Sequence, residues 1–149
     1  MRMHKGLFRS ERGSSLVEVA IILPTMVMLA LGVVDFGRAY YLANEVAGAA
    51  HAGAMYGSQN PTDTATMITL AKADAPDVSG IGATASYGCE CSDGTSASAS
   101  CASKPSCTNT VVYYVKVTAT APYTLMIPWP GFRSSVTLSN TVEMRSSYQ

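Results

Sequence analysis

Four cysteines are the residues of this 149-residue chain best suited to covalent or metal chemistry, and they lie together in CECSDGTSASASCASKPSC. They are Cys89, Cys91, Cys101 and Cys107. Cysteines at this density form disulfides in an exported protein or bind zinc. The CEC spacing lacks the usual two-to-four-residue spacer of a zinc site, and no histidine is nearby. We therefore expect two disulfides and no metal.

The pairing of these cysteines has two solutions. Cys89 and Cys91 are too close in sequence to favour a bond with each other. Either Cys89 pairs with Cys101 and Cys91 with Cys107, or Cys89 pairs with Cys107 and Cys91 with Cys101.

Glu18 is the second residue whose position calls for chemistry. It is the only charged residue from Leu16 to Val34, in the stretch RSERGSSLVEVAIILP. A carboxylate in bilayer hydrocarbon costs roughly 2 to 4 kcal/mol or more. If the chain were cut between Gly13 and Ser14, the new α-ammonium would lie four residues before Glu18 on one helical face. The acid could then pair with its own ammonium or with that of a neighbouring copy. The alternative is that Glu18 lies at headgroup level and is solvated.

An enzyme needs an acid, base or nucleophile that converges with partners. His51 is the only histidine after the apolar run, and it lies in an alanine-rich segment typical of a helix surface. G-x-S-x-G, H-E-x-x-H and glycine-rich phosphate loops do not occur in the sequence. We expect a protein without enzymatic activity and without a cofactor.

The apolar run predicts a transmembrane helix over about residues 16–34. Nineteen helical residues span about 28 Å, close to the roughly 30 Å of bilayer hydrocarbon. Arg2, Lys5, Arg9 and Arg12 precede the run, which places the N-terminus in the cytoplasm. A cleaved secretory signal is the alternative, but the run is long for one, and the first A-x-A, Ala47–Ala49, comes more than a dozen residues later.

The charge distribution excludes one class of partner. The chain has ten basic and ten acidic residues; four of the basic ones and Glu11 precede Ser14, which leaves six basic against nine acidic. A nucleic-acid-binding domain would carry a basic face on its folded part. We therefore expect a membrane protein that binds no nucleic acid.

The predicted helix continues beyond the membrane and covers residues 14–57. Its outer part carries a stripe of small residues, which would let a sheet or helix approach closely: Ala39, Ala43, Ala47, Ala50 and Ala54. Pro24 removes one backbone hydrogen bond, so a kink or local weakening is expected there. GSQNP, residues 57–61, predicts the end of the helix and a turn.

Residues 58–149 predict an exported α+β domain. A second helix would begin after an N-cap at Thr62 or Asp63 and end before Pro76, with these side chains buried: Met67, Ile68, Leu70 and Ala71. Three strands follow, at residues 81–87, 110–121 and 136–144. We expect an antiparallel sheet of about three strands packed on the long helix, with a cysteine-tied loop over residues 89–107 and a rigid PWPGF turn at residues 128–132.

The N-terminal motif resembles a known signal. RGSSLVEVAIILP resembles the class III signals of type IV pilins and pseudopilins, which have a short basic leader, a glycine before the cut and a glutamate at the fifth mature position. Its order of glycine, acid and proline, followed by GVVDFGRA, is similar to the N-terminal motif of TadE-like pseudopilins of the tight-adherence (Tad, or Flp pilus) system. The similarity covers roughly residues 9–55.

The resemblance implies a function. Residues 1–13 would be a cytoplasmic leader that a prepilin peptidase removes between Gly13 and Ser14, with Glu18 assisting recognition or pairing with a neighbour and Pro24 belonging to the assembly helix. The mature protein would be a minor pilin or pseudopilin in the bacterial inner membrane, with its C-terminal domain in the periplasm and its partners among other pilins and the inner-membrane assembly platform. It would be a candidate for incorporation into a surface fibre used in adherence or secretion.

One alternative function belongs to a different class. The chain could be a single-pass, unprocessed membrane anchor that displays a binding module, with the cysteine-tied loop as the recognition surface. An uncut Gly13 and a monomeric state in the membrane would distinguish this alternative from a pseudopilin.

Overall fold

The computed structural model describes residues 12–127, 131 and 133–146, with side chains described from residue 15 onward. The chain divides into two compact units, the first ending at Gly37 and the second beginning at Arg38. The described residues form two helices and four strands, in the order α1, α2, β1, β2, β3, β4. The expected α+β class, with a long N-terminal apolar helix, a short helix and an antiparallel sheet, is confirmed.

Helix α1 covers Arg12–Gln59 and extends two residues beyond each end of the predicted segment 14–57. The helix is continuous through Pro24. Proline has no backbone N–H, so one hydrogen bond of the helix is missing at Pro24. The residues on both sides of it nevertheless remain helical.

Helix α2 covers Thr64–Asp74 and begins as its sequence predicts. Asp63 is the N-cap, and its Oδ1 accepts a hydrogen bond from the backbone N–H of Thr66 at 3.1 Å. Met67 and Ala71 are fully buried, as expected. The expectation that Leu70 is buried was wrong, because Leu70 is 37% exposed and lies beside the buried face of α2 and not on it.

The sheet is fully antiparallel, with the strand order β2-β1-β3-β4. Its strands are β1 (Gly82–Cys91), β2 (Ala97–Ser98), β3 (Val111–Thr124) and β4 (Ser135–Arg145). Strand β3 pairs with β1 over ten residues and with β4 over eleven, without a shift of register. The three predicted strands are therefore present, and each is longer than the segment predicted from the sequence.

The assignment of all residues 89–107 to a loop was partly wrong. Strand β1 continues through Cys91, and β2 lies within the stretch and pairs Ala97 with Glu90 and Ser98 with Cys89. The serine- and glycine-rich composition of this stretch predicts a loop, because such residues have a low preference for strands. That preference is weak, and the disulfides and the pairing of β1 with β3 outweigh it. The predicted PWPGF turn lies outside the described residues except for Gly131.

The core of the second unit lies between one face of the sheet and one face of each helix. The face that α1 buries consists of small residues and one valine at helical spacing: Val46, Ala49, Ala50, Gly53, Ala54 and Gly57. Of the predicted alanine stripe, Ala50 and Ala54 are buried, whereas Ala39, Ala43 and Ala47 are half-buried. The buried face therefore lies at a different angle around the helix axis from the predicted alanine stripe, since Val46, Gly53 and Gly57 also belong to it.

Candidate functional site

The apolar segment of α1, residues 15–34, is exposed on every side. Every residue from 15 to 34 is exposed except half-buried Gly32, and large side chains such as Leu16 (71%) and Val33 (72%) face outward. A helix that is apolar all round is covered by something other than water. This helix is long and apolar enough to cross a membrane, and within the described part of the chain it is one N-terminal segment consistent with single-pass anchoring.

One side of this apolar segment carries a shallow groove lined by apolar side chains. Its residues follow one another at spacings of three and one: Val19, Ile22, Leu23, Met26, Val27 and Ala30. Residues at this spacing form a single stripe along a helix. The stripe is apolar along its whole length, so another helix could pack against it.

The predicted processing residues lie at the start of α1. Gly13 and Ser14 are in the first turn of the helix, and Glu18 follows one turn later on its exposed surface. Within the described part of the chain, Glu18 makes no hydrogen bond or ion pair. The pairing of Glu18 with an α-ammonium therefore stays a prediction, since that ammonium exists only after a cut.

The four cysteines form two disulfides, Cys89–Cys101 and Cys91–Cys107. This is the first of the two pairings that the sequence leaves open. Cys89 and Cys91 are both fully buried and lie two residues apart in β1, so both side chains are on the same face of the sheet. The Cα atoms are 5.3 Å apart in one bond and 5.5 Å in the other. Each bond fastens a different part of the serine-rich segment to a single strand.

Polar contacts hold the remainder of this segment. Arg145 of β4 reaches across β3 and forms an ion pair with Glu90, and its guanidinium also approaches the carbonyl oxygen of Ser92 at 3.4 Å. Asp93 accepts hydrogen bonds from Thr95 and Asn109. These bonds, those from Thr95 first, lower the pKa of the Asp93 carboxyl below its ordinary value of 3.8. The cysteine-tied segment is therefore a fixed surface and not a loose loop.

Two tyrosines of α1 hold the two ends of the α2 segment. The Tyr56 hydroxyl donates to Asp63 Oδ2 at 2.9 Å, at the start of α2. The Tyr41 hydroxyl donates to Asp77 Oδ2 at 2.8 Å, three residues beyond its end. The hydrogen bond to Asp77 and the negative charge of Asp77 raise the pKa of Tyr41 to about 12. The sequence analysis missed both pairs, and the separation of 36 residues between Tyr41 and Asp77 leaves no local signal.

The described residues contain no group of three or more His, Cys, Asp or Glu side chains that could hold a metal ion. His51 is exposed on α1, where its sequence context placed it. The absence of enzymatic activity stays an expectation, because no observation of this structure tests it.

The comparisons with known proteins concern the first third of the chain. Residues 13–55 match the family model described as TadE-like protein, and the resemblance seen in the sequence is thereby confirmed over these residues. The match begins at Gly13 and ends within α1, so it excludes the sheet and all four cysteines. The chain matches no curated protein and no solved structure.

Proposed function

We propose that this protein is a minor pilin or pseudopilin subunit of a Tad-type pilus assembly and secretion apparatus. A prepilin peptidase would cut between Gly13 and Ser14, and the mature chain would assemble through its N-terminal apolar helix. The single observation that carries the proposal is the TadE-like match, which starts at Gly13 and continues through the exposed apolar helix.

The exposed apolar segment supports assembly as well as anchoring. An apolar helix on a small exported domain can be surrounded by lipid or by the helices of neighbouring subunits. Both environments are apolar, so both keep its side chains out of water. Glu18 favours neighbours, because a carboxylate in hydrocarbon is stabilised by an ammonium from an adjacent chain. The shallow groove on this segment gives such a neighbour an apolar surface to contact.

The location and the partners belong to the same proposal. The basic residues before the helix favour an N-terminus in the cytoplasm, and the two disulfides favour a domain outside it, where such bonds persist. The partners would be the peptidase, other pilins or pseudopilins of the apparatus, and an inner-membrane assembly platform.

The experiment that tests the proposal is the intact mass and N-terminal sequence of the protein extracted from membranes, with and without its prepilin peptidase. A start at Ser14 that requires the peptidase would support the proposal. Gly13→Ala should reduce cutting, and Gly32→Ala serves as the matched control because it changes a glycine of the same helix far from the cut. A start at Met1 under both conditions would overturn the proposal and leave an uncut anchor that displays the disulfide-tied domain.

A further inference from the structure

Helix α1 and strand β3 run in opposite directions along the core of the second unit. The residues that approach one another follow a single order along both elements: Gly57 with Val115, Gly53 with Val117, and Arg38 with Tyr123. Between the first and the last of these pairs, the strand rises about 26 Å and the helix about 28 Å. The C-terminal end of β3 therefore lies beside the point where α1 enters this unit.

Tyr123 marks this end of the unit. The centre of its ring lies 5.9 Å from Cζ of Arg38, and its side chain is only 6% exposed. The hairpin of β3 and β4 stays paired beyond it, because the N–H of Leu125 donates to the carbonyl oxygen of Ser134 at 3.0 Å. The hairpin thus extends past Tyr123 at the end where α1 enters, and Met126 follows its last described pair.

Large exposed apolar and aromatic side chains are concentrated at this end. The described residues of the second unit include six of them: Tyr40, Tyr41, Met55, Leu70, Met126 and Val136. Tyr40 and Tyr41 follow Arg38 within one turn of α1. Val136 is the β4 partner of Tyr123, and Met126 is three residues beyond Tyr123. Four of the six therefore cluster at one end, and clustered apolar side chains mark a surface that contacts a partner or a membrane.

The residue types at this end are those of a membrane interface. Tyrosine is enriched where helices leave a bilayer, since its ring is apolar and its hydroxyl polar. Arginine can lay its apolar stem along lipid chains and keep its charge among the headgroups. The hairpin sequence LMIPWPGFR, residues 125–133, ends in exposed Arg133 and contains no acidic residue. Tyr41 is already bonded to the Asp77 carboxylate, which leaves Tyr40 and the hairpin for lipid.

The apolar segment of α1 ends a short distance before this patch. Val34, the last residue of that segment, is four residues from Arg38, or about 6 Å along the helix. The headgroup region on each side of a bilayer is about 5–8 Å thick. With the apolar segment in the hydrocarbon, Arg38 thus lies within or beside the headgroups, whatever the tilt of the second unit.

We propose that the end of the second unit formed by Arg38, Tyr40, Met126 and Arg133 docks on the phospholipid surface of the membrane that α1 crosses. The occupant is lipid, because this patch continues along the chain from the segment that spans the same membrane. Met126 enters the boundary between headgroups and acyl chains, and the two arginines contact phosphate groups. A helix and a hairpin then hold the domain at two points. The inference rests on the membrane span and not on processing or assembly.

The only tryptophan of the chain supplies the measurement. Trp129 is three residues after Met126 in the sequence, and its emission is recorded from the full-length protein in vesicles of phosphatidylethanolamine and phosphatidylglycerol. Lipids brominated near the headgroup end of the acyl chain should quench this emission relative to unbrominated vesicles. Lipids brominated near the far end of the chain should quench it less, because the hairpin lies at the interface.

Met126→Glu should reduce this quenching, since a carboxylate is costly among acyl chains and is repelled by anionic headgroups. The Met126 side chain is 65% exposed, so the substitution leaves the core unchanged, and an unaltered thermal midpoint verifies this. Met55→Glu is the matched control. Met55 is 53% exposed near the opposite end of α1, and its variant should be quenched as strongly as the wild type.

Three results would contradict the inference. One is equal emission from brominated and unbrominated vesicles. Another is a Met126→Glu variant that is quenched as strongly as Met55→Glu. The third is an emission that changes with the number of copies per vesicle and not with bromine, which would assign the patch to contact with a neighbouring chain.

Discussion

The hydroxyl of Tyr56 donates a hydrogen bond to Asp63, the same carboxylate that caps the N-terminus of α2. One side chain thus joins the end of α1 to the start of α2. Hydrogen bonds from Thr66, and then that from Tyr56, lower the pKa of Asp63 below its ordinary 3.8. The hydrogen bond to Asp63 in turn raises the pKa of Tyr56 above 10.0.

A lowered carboxyl pKa predicts a loss of stability in acid. The contribution of Asp63 is complete above its unfolded pKa and declines as the pH falls through its folded value. From about pH 4 downward, the wild type should therefore lose more stability than Asp63→Asn, which keeps a capping oxygen but does not titrate. Urea unfolding followed by circular dichroism at several pH values measures the difference. Parallel pH profiles for the two proteins would contradict the assignment.

The opposite sign applies to Tyr41 in alkali. Its pKa is raised to about 12 by the hydrogen bond to Asp77, so its contribution is complete below pH 10.0 and declines as the pH rises toward 12. Tyr41→Phe should therefore be less stable than the wild type at neutral pH, and the difference should shrink above about pH 10. Tyr40→Phe is the matched control, because the Tyr40 side chain is 73% exposed. An equal effect of the two variants would argue against the Asp77 contact.

Gly53 predicts a steric effect where α1 approaches α2. A Cβ at Gly53 would lie 2.9 Å from the backbone oxygen of Met67 and 3.1 Å from Cβ of Ala71. Gly53→Ala should therefore lower the free energy of unfolding by about 1–3 kcal/mol. Gly37 lies in the same helix with nothing within 4 Å, so Gly37→Ala should be neutral or raise stability by up to about 1 kcal/mol. Equal effects from these two substitutions would show that the helices do not approach so closely.

The disulfide pairing predicts which double substitutions leave free thiols. Cys89→Ser/Cys101→Ser should leave the Cys91–Cys107 bond intact and no free thiol, and should cost about 2–4 kcal/mol of stability. Cys89→Ser/Cys91→Ser removes one partner from each bond and should leave two reactive thiols. Alkylation without reduction, followed by intact mass, counts them. Two alkylated thiols in the first variant would contradict the observed pairing.

Glu18→Ala tests the role of the acid separately from the fold. Glu18 lies in the first unit and the sheet in the second, so the second unit should keep its thermal midpoint. Co-assembly or fibre output should fall, because the α-ammonium of the cut chain would lose its partner. Glu45→Ala, on the part of α1 that belongs to the second unit, controls for general loss of a carboxylate from this helix. Normal fibres from Glu18→Ala would argue against the pairing.

Local patterns predicted the elements of this fold well. The apolar run, the GSQNP stop, the Asp63 cap and the alternation in β4 are signals within a few residues of one another, and each predicted the element found. Contacts between distant residues had no such signal. Arg145 and Glu90 are 55 positions apart, and only the sheet order brings them together.

The remaining misses have the same physical origin. The two-residue β2 exists because disulfides hold a serine-rich segment beside β1, and composition alone predicts a loop there. The stripe on α1 was predicted from alanines alone, whereas burial follows the whole facing surface, including Val46 and Gly53. In a sequence, an alanine or glycine that allows close packing looks the same as one on an exposed surface.

The small-residue core bears on when this domain can fold. Seven of its fully buried residues are alanines, and among the described residues no leucine, isoleucine or phenylalanine is fully buried. Alanine buries little apolar area, so the hydrophobic contribution per residue is modest, and each disulfide typically adds about 2–4 kcal/mol to it. A reducing cytoplasm would deny the chain those cross-links. If the second unit lies outside the cytoplasm, as proposed, we expect the newly made chain to stay loosely folded until its cysteines are oxidised there.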